Sequence, residues 1–287
     1  MQIELLDTFL DLVETRSFHR TAERLHITQS TVSARVMALE SAVGGRLFTR
    51  SRAGTNLSTE GLKFESHARA LRHAWTEAQR AVAPSGNAAI TLRIGIQNDL
   101  AAGQIGDWVS NFRRALPDCA FYIEPDYSVQ MCRDIDRGAL DFAVVYSPQA
   151  LPDLHIASVG EVRYRLISGD GAARAEVSPL RYIRGSYSAA FDETHRRQMP
   201  EFSAALLASG QNAAVAGLLT TLGGSGFVLD DTAQAMIRGG AFMAVADVEP
   251  ISQPIFAVMH QRHRTSRMHR RLTRIVAREI SGRGGQD

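Results

Sequence analysis

Residues 17–40 read SFHRTAERLHITQSTVSARVMALE, and this stretch decides the fold of the N-terminal region. Apolar residues recur in it at helical spacing in two short runs, which predicts two helices joined by a tight turn. The apolar positions are Phe18, Ala22 and Leu25 in the first helix and Val32, Val36, Leu39 and Val43 in the second. Thr28 stands where an N-cap is expected for a helix that begins at Gln29.

The second of these helices turns a polar face outward when its apolar residues point into a core. That face consists of short hydroxyls, one amide and one guanidinium: Gln29, Ser30, Thr31, Ser33 and Arg35. Such side chains can form hydrogen bonds with base edges in the major groove without filling it, so we expect them to bind DNA. An ordinary helical hairpin with a solvated polar face is the alternative that this stretch alone leaves open.

A small β-hairpin is predicted after Gly44 and Gly45, which end the second helix. Residues 46–50 and 55–57 have the pattern of short strands, and residues 51–54 join them. Arg50 and Arg52 are placed for contact with phosphates or for insertion into the minor groove. Their alternative role is that of solvated turn residues.

The residues around this stretch form a pattern that resembles the N-terminal winged helix-turn-helix of LysR-type transcriptional regulators. The matching positions are Phe9, Ser17, Phe18, Ala22, Leu25, Thr28, Gln29, Ser30, Val32, Ser33, Leu39, Glu40, Gly44, Leu47, Phe48, Arg50, Leu57 and Gly61. Arg16, Thr21 and Ser58 depart from the family pattern, where Gly, Ala and Thr are usual. The resemblance implies a bacterial, sequence-specific DNA-binding regulator that responds to a small molecule.

Residues 59–83 predict one long helix with an apolar seam. The seam residues are separated by alternating steps of three and four and are Phe64, Ala68, Leu71, Trp75, Ala78 and Val82. This spacing is typical of a helix that pairs with another helix, so we expect a dimer interface, although packing on the chain's own first helix would use the same residues. The resemblance implies pairing with a second chain, as a homodimer or homotetramer, and an interrupted inverted repeat as the DNA target.

The C-terminal region alternates strands and helices, which predicts a parallel sheet covered on both faces. Expected strands lie at 90–96, 119–124, 142–146, 162–168, 181–183, 212–216 (or a helix there), 227–229 and 255–259, and expected helices at 100–115, 128–137, 188–198, 201–209, 231–238 and 266–280. The fold class is therefore α/β, with two lobes like those of periplasmic binding proteins. The expected division is a DNA-binding domain at 1–58, a linker helix at 59–83, a hinge at 84–89 and an effector domain at 90–287, with lobe I at 90–148 and 254–287 and lobe II at 152–250.

An effector site is expected between the two lobes, where strands end and helices begin. Helix N-termini favour anions, which suggests an anionic effector. The candidate residues are Gln97, Asn98, Ser128, Ser147 and Ser186. Asp99 complicates this site, because it can cap its own helix and would repel an anion. Capping and turn formation without a ligand is the alternative for all of these residues.

Three other features have ordinary structural alternatives. His195 could face a ligand, but a lone helical histidine is more often a surface or packing residue. The arginines of 262–278 are expected to form a solvated face, with a contact to an acidic subunit surface as the next possibility. Cys119 and Cys132 are expected to be free thiols, and a redox-sensing pair is the less favoured alternative.

Composition limits the remaining function classes. The 287 residues are 45% hydrophobic and 22% charged with a net charge of +2, as in a globular protein of two or three domains. No run of residues suggests a secretory signal or a membrane span, so the cytoplasm is expected. No catalytic or metal-ligand motif is present, so we expect no enzyme activity and no cofactor. RNA polymerase is a conceivable partner. The competing functions are an enzyme with an appended DNA-binding domain and a constitutive DNA-binding protein whose effector cleft is plugged by bulky side chains.

Overall fold

The computed structural model describes residues 2–51, 54–81 and 90–283. Contacts divide the chain into an N-terminal unit, Met1–Pro84 with Asp136–Ala139, and a C-terminal unit, Ser85–Ile135 with Leu140–Asp287. Three predicted features lie outside the described residues: the hinge at 84–89, Val82 of the seam and Arg52 of the wing.

The N-terminal unit is a winged helix-turn-helix followed by a long helix, as predicted. Its elements are α1 (Ile3–Thr15), α2 (Phe18–Arg24), α3 (Gln29–Val43), β1 (Phe48–Ser51), β2 (Gly54–Leu57) and α4 (Thr59–Ala81). A single core joins α1, α2, α3 and the start of α4; Leu6, Phe9, Val32, Leu39 and Ala68 are fully buried in it. Burial of these apolar side chains is the main force that holds the three short helices together.

Backbone geometry at three positions shapes this unit. Arg16 ends α1 in the left-handed conformation with φ 53°, and Gly44 ends α3 in the same way with φ 75°. Glycine adopts this conformation without steric cost, whereas Arg16 does so at a cost. Gly61 allows α4 to approach the segment before the wing, because a Cβ there would lie 2.1 Å from the Leu47 carbonyl oxygen.

The C-terminal unit is an α/β domain. Its strands are β3 (Ile90–Gln97), β4 (Cys119–Asp126), β5 (Phe142–Val145), β6 (Leu154–Ser168), β7 (Ile183–Gly185), β8 (Leu207–Ser209), β9 (Ser225–Leu229), β10 (Met243–Ala244) and β11 (Ile251–His260). Its α-helices are α5 (Asn98–Ala115), α6 (Ser128–Asp136), α7 (Ala189–Gln198), α8 (Asn212–Leu222), α9 (Asp230–Arg238) and α10 (Arg267–Arg283). The main sheet has the order β10-β6-β11-β5-β3-β4, and β9 pairs with β6.

The sheet is mixed rather than parallel throughout, so that part of the sequence prediction was wrong. β3 pairs in parallel with β4 and β5, but β11 is antiparallel to both β5 and β6. Only eight residues separate β5 from β6, and no helix lies among them. A parallel neighbour needs a crossover connection of a dozen or more residues, so β6 cannot continue the parallel series beside β5.

Two predicted elements of the second lobe were also wrong. Residues 201–209 do not form a helix; a short 3-10 turn, Pro200–Phe202, is followed by β8, which pairs with β7. Residues 212–216 belong to α8 rather than to a strand, which was the alternative for that segment. At β8, pairing with β7 decides the conformation, which local propensity cannot report.

Large aromatic side chains fill the core of the C-terminal unit. Trp108, Phe112, Phe142, Tyr164 and Phe227 are all fully buried there. Among the residues that the structure describes, no helix is both long and apolar enough to cross a membrane.

Candidate functional site

The start of α3, the helix predicted to bind DNA, is fixed by its cap. Thr28 is the N-cap, as predicted, and its Oγ1 accepts a hydrogen bond from the Thr31 backbone N–H at 3.2 Å. The hydroxyls of Ser30 and Thr31 each lie 2.8 Å from that same Oγ1. Two of the predicted base-reading hydroxyls therefore also take part in the cap, which fixes their direction before any DNA is bound.

The inward face of α3 packs as the spacing predicts, with one exception. Val32 and Leu39 are fully buried and Val36 nearly so. Val43, which the spacing assigned to the same face, is 40% exposed because it is the last helical residue before Gly44 turns the chain away.

The outward face of α3 keeps most of the predicted polar residues accessible. Gln29 and Ser30 are exposed, and Thr31, Ser33 and Arg35 are half-buried. Arg35 is partly used within the chain, because its Nη1 donates to Thr8 Oγ1 of α1 at 3.3 Å. That contact holds the guanidinium against α1. Among the five residues, Gln29 and Ser33 are those whose side chains form neither this contact nor a hydrogen bond with the Thr28 cap.

Two apolar residues on this face were missed by the sequence analysis. Ala34 is exposed and Met37 is 62% exposed, and both share the side of α3 that carries Ser30. The steps from 30 to 34 to 37 are helical spacing, so the signal was present but was passed over because only polar side chains were considered. Apolar side chains in the major groove contact thymine methyl groups.

The hairpin of β1 and β2, which forms the wing, is tied to α3 by a half-buried carboxylate contact. Glu40 Oε1 accepts the backbone N–H groups of Leu47 at 2.7 Å and Phe48 at 3.2 Å. β1 and β2 then pair in antiparallel register from Phe48 opposite Leu57 to Ser51 opposite Gly54. The side chain of Arg50 is not described, so its DNA contact, like that of Arg52, remains a prediction.

The predicted seam of α4 divides into two halves. Phe64 packs edge-on against Phe9 of α1 with ring centroids 5.3 Å apart, and Ala68 is fully buried against the same core. Leu71 and Trp75 are 45% and 48% exposed, and Ala78 is exposed. With residues of α1 they line an apolar groove formed by Ile3, Leu6, Leu71, Ala74, Trp75 and Ala78 together with Gln2 and Glu4. The first half of the seam is thus packed against the chain's own core, whereas the second half remains exposed.

Hydrogen bonds of Ser128 join three of the five predicted effector residues, Gln97, Ser128 and Ser147, and Asn98 follows Gln97 in the chain. The Ser128 hydroxyl donates to Gln97 Oε1 at 2.7 Å and accepts the backbone N–H groups of Tyr146 and Ser147 at 3.1 and 3.2 Å. Gln97 and Ser128 are buried, and Asn98 is half-buried. The Ser128 hydroxyl thus links β3, α6 and the end of β5, and its hydrogen bonds are all made within the chain.

Ser186 of the second lobe is not brought into this cluster by any hydrogen bond. Its Oγ donates to Asp192 Oδ2 at 2.7 Å, and its backbone N–H donates to the Ser209 carbonyl. Both contacts lie within the second lobe. They match the alternative in which these residues form turns and caps.

Asp99 does not cap its own helix, which is the role that the sequence allowed for it. It is 3% exposed, and its Oδ1 accepts the backbone N–H of Asn212, the first residue of α8, at 2.7 Å. Its Oδ2 accepts the Tyr164 hydroxyl at 2.9 Å. Asp99 therefore caps the helix of the other lobe rather than its own. Burial raises the pKa of its carboxyl, and these two hydrogen bonds oppose that rise.

His195 is a core residue, which was the favoured alternative. It is fully buried, and its Nε2 lies 2.6 Å from the Tyr182 hydroxyl. Burial, and next the nearby Arg184, lowers the pKa of His195 from 6.5 to about 4. The imidazole is therefore neutral at physiological pH.

The two cysteines are free thiols, as expected, and the terminal arginines are exposed. Cys119 is half-buried and Cys132 is buried, and both are free thiols whose pKa is raised by burial, which opposes thiolate chemistry. The exposed arginines of α10 are Arg267, Arg270, Arg271, Arg274 and Arg278.

Comparison with known proteins follows the division into two units. The family model described as bacterial regulatory helix-turn-helix protein, lysR family, matches residues 3–62, and the LysR substrate binding domain matches residues 85–281. The HTH-type transcriptional regulator HdfR of Yersinia enterocolitica is 27% identical over 271 residues, which is 91% of each chain.

Solved structures show the same fold over nearly the whole chain. Full-length LysG from Corynebacterium glutamicum with bound effector Arg has a TM-score of 0.58 at 21% identity and covers 98% of this chain and 99% of its own. CbnR in complex with its target DNA has a TM-score of 0.50 at 18% identity, with coverage of 98% and 100%. The predicted fold class, a winged helix-turn-helix with a two-lobed α/β domain, is thereby confirmed.

Proposed function

Because the chain belongs to the LysR family of bacterial transcriptional regulators, we propose that it reads duplex DNA through α3 and controls that binding through its C-terminal unit. The base-reading residues would be Gln29, Ser30, Thr31, Ser33 and Arg35, with Ala34 and Met37 as apolar contacts. Arg50 and Arg52 of the wing would bind the phosphate backbone, which supplies affinity without sequence information.

This proposal is supported mainly by the contrast between the buried apolar face of α3 and its accessible polar face. Val32, Val36 and Leu39 of its apolar face are buried in the core of the N-terminal unit, while Gln29 is exposed at the start of the helix. The cap at Thr28 fixes the start of α3, and the carboxylate of Glu40 ties the helix to the wing. A rigid helix with an accessible polar face is what major-groove reading requires.

Selection of binding sites from a random duplex pool tests the proposal directly. The full-length protein at about 0.15 M salt, where non-specific binding is weak, should enrich an interrupted inverted repeat. Half-sites should be separated by about one helical turn or a multiple of it. Equal binding to selected and random duplexes would remove the DNA-reading role of α3.

We propose a homodimer as the DNA-binding form, with the exposed half of the α4 seam as its interface. Leu71, Trp75 and Ala78 offer an apolar stripe beside α1, and the spacing of the seam continues to Val82. An apolar groove of this kind is stabilised when a second helix covers it. Assembly to a tetramer and contact with RNA polymerase are further possibilities for the C-terminal unit.

We propose that the C-terminal unit senses a small molecule between its lobes, in the cytoplasm and without catalysis. The division of the chain at 58, 83 and 89, and into lobes at 148–152 and 250–254, is part of this proposal. The matching relatives are transcriptional regulators, and LysG carries Arg as an effector. Calorimetry of the full-length protein with amino-acid and organic-acid libraries, with and without operator DNA, tests the role. Effector and operator must change each other's affinity by the same factor.

A constitutive regulator is the second candidate, and the interlobe region favours it. Tyr146, Tyr164, Tyr187 and Phe191 are at most 5% exposed there. Bulky side chains in the cleft are the feature that distinguishes a regulator without an effector. Operator binding that no library compound alters would support this candidate over the first.

A further inference from the structure

The N-terminus of α8 is capped by a residue from outside its own segment. Gln211, the N-cap residue of α8, makes no side-chain capping hydrogen bond. The first N–H of the helix, that of Asn212, instead donates to the Asp99 carboxylate, 113 residues earlier in the chain. The positive end of a helix dipole and its free N–H groups are where a bound anion is stabilised, and here the anion belongs to the protein.

Asn212 is held so that its N–H faces Asp99. Its Oδ1 accepts the Leu229 N–H at 2.8 Å, and its Nδ2 donates to Thr232 Oγ1 at 3.0 Å. These bonds fix the start of α8 to β9 and α9. The N–H donor is therefore positioned by the second lobe independently of the carboxylate.

The groups that act on Asp99 are all neutral. Its contacts are the backbone N–H of Asn212 and the hydroxyl of Tyr164, and Tyr146 lies next in line with its hydroxyl 3.1 Å from that of Tyr164. A buried carboxylate is costly unless it is hydrogen-bonded, and a cation is its usual partner. The arrangement resembles a small carboxylate ligand in a site built of neutral donors, rather than an ion pair.

Aromatic rings close the space around this carboxylate. Tyr164 and Tyr187 stack with centroids 4.2 Å apart, and Phe191 meets them edge-on at 5.0 and 4.8 Å. The Tyr187 hydroxyl donates to the Phe227 carbonyl at 2.6 Å. The rings are therefore anchored, and the volume that the carboxyl group of a free ligand would need is occupied by Asp99 itself.

We propose that Asp99 is a built-in ligand of the interlobe cleft, which occupies the anion-binding end of α8 and so excludes anionic effectors from it. This inference rests on the proposed sensing role of the C-terminal unit, and it narrows the ligand class. An effector of the wild-type protein is neutral or cationic, or binds elsewhere. The expectation of an anionic effector from helix N-termini alone is thereby reversed for α8.

Chemical rescue of Asp99→Ala is the test. The variant removes the carboxylate and leaves room at the N-terminus of α8, so its Tm should fall by several degrees. Sodium acetate or formate should restore the Tm of this variant in a saturable manner, because a free anion that binds only the native state stabilises it. Acetamide, and sodium chloride at equal ionic strength, should not. The wild-type protein and the control Asp107→Ala, which loses an exposed acid of α5, should show no such saturable response.

A second measurement keeps the inference testable if Asp99→Ala does not fold. Asp99→Asn preserves the shape but weakens the acceptor, so the amide proton of Asn212 in the NMR spectrum should move upfield relative to the wild type. An unchanged Asn212 resonance, or equal acetate responses of Asp99→Ala and the wild type, would overturn the proposal. Neither readout involves DNA, so failure here leaves the DNA-binding role intact, and failure of sequence-specific binding leaves the rescue interpretable.

Discussion

Polar side chains near the start of a helix occur both on α3 and in the interlobe cleft. Those of α3 are accessible to solvent, whereas those of the cleft are buried. The side chains of Gln29 and Ser33 form no hydrogen bond within the described part of the chain, and Gln29 is exposed while Ser33 is half-buried. Ser128 and Asp99 are buried, and the chain itself supplies their hydrogen-bond partners. A polar residue at a helix start is therefore accessible to a partner in one unit and a structural residue in the other, and burial decides between them.

The comparison predicts its largest effect at the exposed half of the α4 seam. Trp75→Glu and Leu71→Glu place a carboxylate on the proposed interface, so the dimer should dissociate. Operator affinity should then fall by about 10²–10⁴-fold, because each half-site is bound without the advantage of a linked second one. Sedimentation velocity and operator titration measure the two effects.

Leu62→Glu is the matched control for the seam. Leu62 lies on the same helix, is 63% exposed and is not a seam residue, so its replacement should leave the dimer intact. A dimer that survives Trp75→Glu would place the interface on another surface.

The second prediction concerns Ser128, which is buried in the C-terminal unit. Ser128→Ala removes the acceptor of two backbone N–H groups and the donor to Gln97, so the free energy of unfolding should fall by about 2–4 kcal/mol. Ser110→Ala, an exposed change in α5, should cost no more than about 0.5 kcal/mol. Urea unfolding followed by circular dichroism measures both. A neutral Ser128→Ala would mean that water or a ligand can replace the hydroxyl and that the site is open after all.

The third prediction concerns Gln29, on the exposed polar face of α3. Gln29→Ala should leave the free energy of unfolding within about 0.5 kcal/mol of the wild type, because Gln29 is exposed. It should reduce discrimination at one operator position by about 1–3 kcal/mol. Titration against operators substituted one base pair at a time measures this loss. An equal loss on random DNA would show that Gln29 anchors rather than reads.

The fourth prediction locates acid sensitivity in the C-terminal unit. His195 and His269 are buried with their pKa lowered from 6.5 to about 4, His195 by burial and Arg184, His269 by burial and His263. Between these values the unfolded chain binds protons that the native state does not, so stability falls as pH drops from about 6.5 to 4. Each histidine contributes at most about 1.4 kcal/mol per pH unit. Asp99 acts in the opposite direction, because its raised pKa lets the native state bind a proton first.

His195→Gln provides the check on that sign. The variant should unfold with a shallower dependence on pH than the wild type between pH 6.5 and 4. His19→Gln is the control, because His19 lies exposed on the surface of the N-terminal unit. Identical slopes for wild type and His195→Gln would show that His195 titrates normally in the native state.

Sequence reasoning succeeded where the structure is local. The caps, the apolar spacing and the turn between α2 and α3 all depend on residues a few positions apart, so residues 17–61 predicted the N-terminal unit closely. The order of strands in the C-terminal sheet depends on which distant strands pair, and the expected parallel sheet proved to be mixed.

The candidate sites show the same limit. The polar face of α3 was readable because helical spacing alone places it opposite the core. The partner of Asp99 is separated from it by 113 residues, and no pattern near Asp99 identifies it. Local spacing allowed Asp99 to cap its own helix, and only the packing of the two lobes brings α8 to it.

The smallest predicted effect tests backbone strain at Arg16 in the N-terminal unit. Arg16 holds the left-handed conformation with φ 53° at the end of α1, where its N–H donates to the Leu12 carbonyl. Arg16→Gly removes the steric cost of a Cβ in that conformation, about 1–2 kcal/mol, but gives the unfolded chain more freedom. The net expectation is a gain of up to about 1 kcal/mol in the free energy of unfolding. Arg20→Gly is the matched change, because it removes the same charge from the exposed interior of α2, where glycine costs about 1 kcal/mol. Opposite signs in urea unfolding would place the strain at residue 16, whereas equal losses would show that the turn tolerates arginine without cost.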